Sequence, residues 1–313
     1  MKKALIIAGI SVLTVILAIG GYGYYMYKNV ESTVNSMHQT IDRQKSEKRP
    51  IEVDFQEKDP LSFLLLGIDA RSSDSGRTDT IMVITVNPED KSMKQLSIPR
   101  DTYTEIVGRG FQDKINHAYA FGGPEMTINT VENFLNIPID YFVSVNMEGF
   151  KEIVDAVGGV TVDNAFAFRQ SGYNFDEGEI NLDGDQALAY SRMRKQDSRG
   201  DFGRNDRQRQ VVNAIIEEGA QISSITRTGP ILQSLGNNVT TNLTFDEMIS
   251  VMSNYSEARR SVDTLSLSGS GGFIDRIWYY FIDENERLRV SEELRDHLNL
   301  DDDDEGSLVK ADD

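Results

Sequence analysis

Cysteine is absent from all 313 residues, which excludes disulfides, zinc-thiolate centres and thiol nucleophiles. Histidine is scarce. His38, His117 and His297 are scattered along the chain with no nucleophile elbow present, so a Ser-His-Asp hydrolase is not expected, and His117 reads as a packing or hydrogen-bonding residue. Positive charge is in deficit as well. With 32 basic against 50 acidic residues the formal net charge is -18, and most of the surface repels nucleic acid and anionic lipid. There is no helix-turn-helix pattern, zinc pattern or internal repeat, so nucleic acid is not expected as a partner.

Against that background three features stand out. The run from Ala4 to Tyr27, "ALIIAGISVLTVILAIGGYGYYMY", carries no charge and is long enough to cross a bilayer, with tyrosines at its far edge. We read it as an uncleaved signal-anchor: residues 1–3 cytoplasmic, 4–27 transmembrane, 28–59 a polar stalk, 60–300 an extracytoplasmic domain at the cell membrane. Residues 301–313, "DDDDEGSLVKADD", are expected to form an acidic disordered tail. Between these, "LSFLLLGID", "TIMVITVN", "KQLSIP", "YFVSVNM" and "GVTVDN" read as strands. Helices are expected over 124–136, 147–159, "LDGDQALAYSRM" and 206–221. Alternating strands and helices predict an α/β fold, a central sheet flanked by helices.

The third feature is an arginine cluster in this acidic chain. "SRMRKQDSRGDFGRNDRQRQ" (191–210) holds six arginines, one lysine and three aspartates. Arg192 and Arg194 face one ligand only if the chain leaves helical geometry between them, and "RKQDSRGDFG" supplies such a departure. Arg204, Arg207 and Gln208 then fall at or near the N-terminus of the next helix, where free N–H groups and the dipole favour an anion. From the residues alone, a diphosphate pocket and a solvated loop paired with Asp197, Asp201 and Asp206 are equal readings. Two smaller signals accompany it. In "GIDARSSDSGRTDT" Asp69 ends one strand and Asp79 starts the next, a carboxylate pair suited to magnesium; Asp74 at the loop tip is a further ligand candidate, and the bland alternative is local pairing with Arg71 and Arg77. In "LSIPRDTY", Arg100 and Asp101 follow a strand end, where a guanidinium is held for phosphate or simply bridges its neighbour.

Taken together and in order, "LLLGIDAR", "GRTDTIMVITVNP", "LSIPRDTY", "KINHAYAFGG", "VDAVGGVTVD", "LDGDQALAYSRMR" and "GDFGRNDRQ" resemble the LytR-CpsA-Psr family over about residues 60–220. The resemblance implies an enzyme of Gram-positive bacteria that moves a glycopolymer, such as wall teichoic acid, from a polyprenyl-diphosphate carrier to a peptidoglycan muramic acid hydroxyl. It also implies bound magnesium, or manganese, at Asp69 and Asp79, and an apolar pocket for the polyprenyl tail between sheet and helices. By position, the diphosphate-binding residues are Arg71, Arg100, Arg192, Arg194, Arg204 and Gln208. Arg100, Asp101, Arg192 and Arg194 are expected to act in catalysis, with Asp69 or Asp101 as the proton acceptor. The partners implied are the lipid-linked glycopolymer, peptidoglycan and the bilayer; the alternatives are a non-catalytic carrier-binding protein or a diphosphate hydrolase.

Overall fold

The alternation of "LSFLLLGID" sends Leu64, Leu66 and Ile68 to one face of a strand and Phe63, Leu65, Gly67 and Asp69 to the other, and both faces are covered. The computed structural model describes residues 28, 31–41, 45–69, 76–221, 236 and 238–300. The predicted anchor, Arg71, Asp74 and the acidic tail lie outside the described residues. Among those described, no helix is long and apolar enough to cross a membrane.

Strands β1 (Leu61–Asp69), β2 (Arg77–Asn87) and β3 (Ser92–Ser97) form an antiparallel meander. A hairpin, β4 (Tyr103–Ile106) and β5 (Phe111–Lys114), leads to helix α1 (His117–Leu135). β6 (Tyr141–Asn146) returns parallel to β1 and feeds α2 (Met147–Val157). Then come β7 (Val160–Asn164), β8 (Phe168–Gln170), β9 (Tyr173–Phe175) and β10 (Gly178–Leu182), followed by α3 (Gly184–Arg192) and α4 (Asp201–Gln221). After β11 (Val239–Thr241) and α5 (Phe245–Asn254), strand β12 (Ser261–Leu265) precedes the hairpin β13 (Gly269–Ile274) and β14 (Ile277–Ile282) and helix α6 (Glu284–His297). The main sheet is six-stranded and mixed, ordered β11-β6-β1-β2-β3-β12.

Helices cover both faces, as expected for a layered α/β domain. On one face Leu64, Leu66, Ile81, Val83 and Leu96 pack against Ile128, Val131 and Leu135 of α1 and Val290 and Leu294 of α6. Each such side chain contributes about 1.5–3 kcal/mol of burial. α2, α3, α4 and α5 cover the other face, and a cavity remains between them and the sheet.

Three expectations are revised. α1 starts at His117, seven residues before the predicted 124, and crosses a kink at Gly122 and Gly123 (φ 64) before Pro124, whose missing N–H the kink accommodates. α4 starts at Asp201 instead of 206, so Arg204 belongs to its first turn. Residues of the predicted stalk dock onto the domain: Val34 and Met37 are buried, Gln39 N–H donates to Thr241, and Arg49 forms a buried pair with Asp140 (2.7 Å).

Candidate functional site

The cavity reaches the carboxyl ends of the parallel strands β1 and β6, the end where open α/β sheets place their ligands. A bulge shapes it. Gly67 pairs with Thr80 and Ile68 with Thr78, so Asp79 is the extra residue in β2. The bulge turns Asp79 and Thr80 together onto the cavity, where strict alternation would admit one of them. Asp69, the last residue of β1, lies at the same end, and both carboxylates line the cavity. Gly67 leaves room for Thr80, because a Cβ at this position would stand 3.0 Å from Cβ and Oγ1 of Thr80.

Helix α3 delivers the first arginine. A reciprocal capping box, Asp183 with Gln186, fixes its start, and Gly184 allows close approach to α2, since a methyl there would stand 2.5 Å from the Lys151 carbonyl oxygen. It stops at Arg192 because Met193 turns to extended geometry (φ -64, ψ 131) and buries its side chain completely. With Met193 inside, Arg192 and Arg194 on either side of it remain exposed. This is the helical departure that the sequence required of the pair.

The six arginines divide into two groups. Arg207 is buried, donates to Asp197 Oδ2 (2.8 Å) and the Met193 carbonyl (2.6 Å), and lies 5.7 Å from the centre of the Phe168 ring. Arg199 bridges Asp197 and Asp206, and Arg209 binds Asp206 and Ser97 Oγ (2.9 Å). Asp197 and Asp206 therefore engage these three, and together they staple the loop to α4. The two guanidiniums and the Arg199 amide hold the Asp197 carboxyl down at about 2, overcoming its burial. Gly203 makes room for it: a methyl on Gly203 would stand 1.8 Å from Asp197 Oδ2.

Arg192, Arg194 and Arg204 form the second group, and Arg100 joins them from the end of β3. Arg100 donates to Asp79 Oδ1 (2.5 Å), Arg204 lies 3.1 Å and Arg194 3.5 Å from Asp201 Oδ1, and Arg192 reaches only the thioether of Met147 (3.3 Å) among the described residues. Burial lowers the Arg204 pKa, with Arg100 and Arg194 lowering it further against Asp201 and Asp79. Arg100 is pushed the other way: burial opposes it, but the bond and charge of Asp79, with Asp101 and Asp201, raise it. Nε of Arg100 and Nε of Arg204 are buried and donate to nothing among the described residues. Buried N–H groups on a cationic pair without a sufficient counter-charge are a poor arrangement unless an anion accepts from them.

Of the sequence-predicted residues, Asp69, Asp79, Arg100, Arg192, Arg194, Arg204 and Gln208 thus meet at one end of the cavity; Arg71 lies outside the described residues. Asp101 is shared: its Oδ2 lies 3.6 Å from Nε of Arg100. Its carboxylate accepts from Lys114 (2.6 Å) and ties β5 to the end of β3. Asp69 and Asp79 supply hard oxygen donors with no imidazole beside them, which fits magnesium sharing its shell with phosphate oxygens; no group of three metal-ligating side chains exists among the described residues.

Behind this polar end the cavity, of about 730 Å³, runs beneath α2, α3 and α4 along an almost wholly apolar wall. Phe63, Leu65, Val143 and Val145 form its floor, Ile153, Val212 and Ile215 its roof, and Met252 and Tyr255 stand at the far end. Sequence reasoning found none of these residues individually. Val212, Ile215, Ile216 and Gly219 repeat at helical spacing, a signal that serves equally for a core and for a hollow.

The chain matches the LytR_cpsA_psr family over residues 24–296. It is 56% identical over 303 residues, 96% of this chain and 100% of the other, to the polyisoprenyl-teichoic acid–peptidoglycan teichoic acid transferase TagU of Halalkalibacterium halodurans. The crystal structure of Bacillus subtilis TagU, 51% identical, covers 77% of this chain and 97% of its own with a TM-score of 0.64. TagT bound to LI-WTA, 33% identical, covers 84% of this chain and 100% of its own with a TM-score of 0.72. On match length and identity alike, the chain belongs to the LytR_cpsA_psr family.

Proposed function

We propose that this chain is a transferase that moves a teichoic acid from a polyprenyl-diphosphate carrier to a peptidoglycan hydroxyl. The observation that carries the carrier is the polarity of the cavity: arginines with unengaged buried donors at one end, and an apolar hollow of about 730 Å³ behind them. A lipid diphosphate matches both halves. The family's named members, at 56% and 51% identity over nearly the whole chain, are teichoic acid transferases, and TagT, of like fold, is described bound to LI-WTA.

In this reading Arg100, Arg192, Arg194 and Arg204 grip the diphosphate, with Gln208 at the cavity wall beside them. Asp69 and Asp79 would hold magnesium, which supplies charge neutralisation at the diphosphate oxygens when bound. The 6-hydroxyl of a muramic acid attacks the sugar-side phosphorus. An oxygen–phosphorus bond forms, the bond to the bridging oxygen breaks, and polyprenyl phosphate carries away the electron pair. The arginines neutralise charge that grows on the bridging oxygen, which is the main requirement of phosphoryl transfer. The hydroxyl proton passes to a carboxylate at this end of the site, Asp69 where it is not committed to the metal, or Asp101, which Lys114 also engages. The same reading puts the domain outside the cell membrane, anchored by residues 4–27.

The test is transfer itself. The full chain in detergent, given a polyprenyl-diphosphate-linked polymer and uncrosslinked peptidoglycan, should yield a polymer–phosphate–muramic acid linkage by mass spectrometry, lost in Arg192→Ala. Release of polymer phosphate without the linkage, or retention of intact carrier, would refute transfer.

A further inference from the structure

Among the described residues, the hairpin β13–β14 carries an exposed aromatic face that this reading leaves unused. Its register pairs Phe273 with Trp278 and Gly271 with Tyr280, so these four residues share one face. Phe273 is 73% and Trp278 39% exposed. The glycines keep that face flat: a methyl on Gly271 would stand 2.9 Å from the Trp278 indole, and one on Gly269 3.1 Å from the Tyr280 ring. The ring centres of Trp278 and Tyr280 lie 6.5 Å apart, and Tyr280 meets Phe202 edge-on at 5.7 Å. Phe202, 48% exposed, sits between Asp201 and Gly203 in the first turn of α4, two residues before Arg204. Tyr280 itself is buried, and over it the exposed rings of Phe273, Trp278 and Phe202 lead as a strip from the hairpin tip towards the arginine cluster.

The strip is also fixed to the site. Tyr280 N–H donates to the Asp101 carbonyl (2.9 Å), next to Arg100, and Tyr279 and Phe281 on the opposite face pack against Tyr103 of β4 at 4.9 and 5.4 Å. A rigid aromatic surface at the mouth of a reaction centre is an address for a substrate. Its charge narrows the choice. In a chain of net charge -18, the hairpin's only charged residues are Asp275 and Arg276 at its turn. A phosphate-bearing polymer would call for cations along the strip, and a pyranose backbone needs none: its C–H faces stack on rings while its hydroxyls stay in water.

We infer that the Phe273–Trp278–Phe202 strip holds the glycan backbone of the acceptor, leading its hydroxyl to the diphosphate. This rests on the transferase reading for the identity of the acceptor. Trp278 is the chain's only tryptophan, so it reports on its own surface. The full chain in detergent is titrated with soluble uncrosslinked glycan strands of alternating N-acetylglucosamine and N-acetylmuramic acid, and Trp278 fluorescence is followed. A saturable change is expected, weakened about tenfold in Phe273→Ala, the loss of one ring contact. In turnover, Trp278→Ala and Phe273→Ala should each raise the acceptor KM about tenfold, with kcat and the donor KM unchanged. An acceptor KM within about twofold of the parent in both variants, or no fluorescence response to the glycan, would overturn the inference while leaving transfer intact. A response to free teichoic acid in place of the glycan, or a concentration-dependent mass by light scattering that Phe273→Ala abolishes, would overturn it as well, assigning the strip to the donor polymer or to a second copy. A parent that makes no linkage yet shows the saturable glycan response would remove the transferase reading and keep the surface.

Discussion

Gly203→Ala tests whether the arginine loop is built as described, because two effects of opposite sign compete there. Inside a helix, glycine to alanine stabilises by about 1 kcal/mol through backbone entropy. At this site the new methyl would stand 1.8 Å from Oδ2 and 2.4 Å from Cγ of Asp197. The carboxylate must move by more than an ångström, since ordinary contact begins at about 3.5 Å. Its bonds to Arg207 (2.8 Å) and to the Arg199 amide (2.9 Å) then weaken or break. Charge-assisted bonds are worth about 1.5–3 kcal/mol each, and opening a buried pair costs about 3–5 kcal/mol. Arg207 keeps the Met193 carbonyl, which limits the loss. The net expectation is destabilisation by about 2–4 kcal/mol, read by urea unfolding with circular dichroism. In an Asp197→Ala, Arg207→Met background the clash is gone, and the same Gly203→Ala should stabilise by about 0.5–1 kcal/mol. A neutral or stabilising effect in the parent would refute the assignment of Gly203 and Asp197.

Arg204→Met should lower transfer by at least about a hundredfold while the urea midpoint stays level or rises, because it removes a buried charge that the empty fold does not balance; a large loss of stability would contradict this. Val145→Trp or Ile215→Trp should fill the hollow and reduce turnover of long-chain polyprenyl donors more than that of short-chain ones, and equal losses with both would refute a lipid in the cavity. Asp79→Asn should abolish a dependence of transfer on added magnesium that the parent shows after chelation; a parent indifferent to chelation would refute the metal. Burial holds His297 below its ordinary 6.5, with Thr85 Oγ1 and Ser92 Oγ on its ring nitrogens at 2.7 and 2.9 Å. The unfolded chain thus takes up this proton first, so the His297 contribution is complete above about pH 6.5 and is lost as pH falls through the lowered native value. Stability of the parent should drop in that window, and the drop should shrink in His297→Gln.

Local rules were enough for β1, β2, β3, β6 and β7 and for the break in helix between Arg192 and Arg194. Leu64, Leu66 and Ile68 alternate with Phe63 and Leu65 as a strand buried on two faces must, and the requirement that the chain straighten between Arg192 and Arg194 is met at Met193. What stayed hidden depends on residues distant in sequence. The docking of residues 31–49 is decided by Asp140 and Thr241, far along the chain, which accept from Arg49 and from the Gln39 amide. The bulge that exposes Asp79 is a property of pairing with β1 and leaves no mark in "GRTDTIMV". The early start of α4 follows from an arginine staple to Asp197 that no propensity encodes. Glycine-rich "GSGGF" carried no helical or strand pattern strong enough to place it, yet its lack of side chains is what lets Trp278 and Tyr280 lie flat.

The arginine cluster answers the acidity of the chain by dividing its labour. Asp197 and Asp206 engage Arg199, Arg207 and Arg209, and those ion pairs hold the loop in place before any ligand arrives. Arg100, Arg192, Arg194 and Arg204 are served less well by Asp79, Asp101 and Asp201, and the buried Nε groups of Arg100 and Arg204 make no hydrogen bond among the described residues. Because the first set fixes the second, the free-energy cost of gathering like charges is met by folding and not at the moment of binding. On the proposed reading, a diphosphate entering such a site would relieve repulsion that the fold already carries, its charge matched locally while the net charge of the chain stays at -18. On the same reading, anions without an apolar tail gain only the first of the cavity's two halves, so selectivity for a lipid diphosphate would follow from the hollow behind the arginines as much as from the arginines themselves.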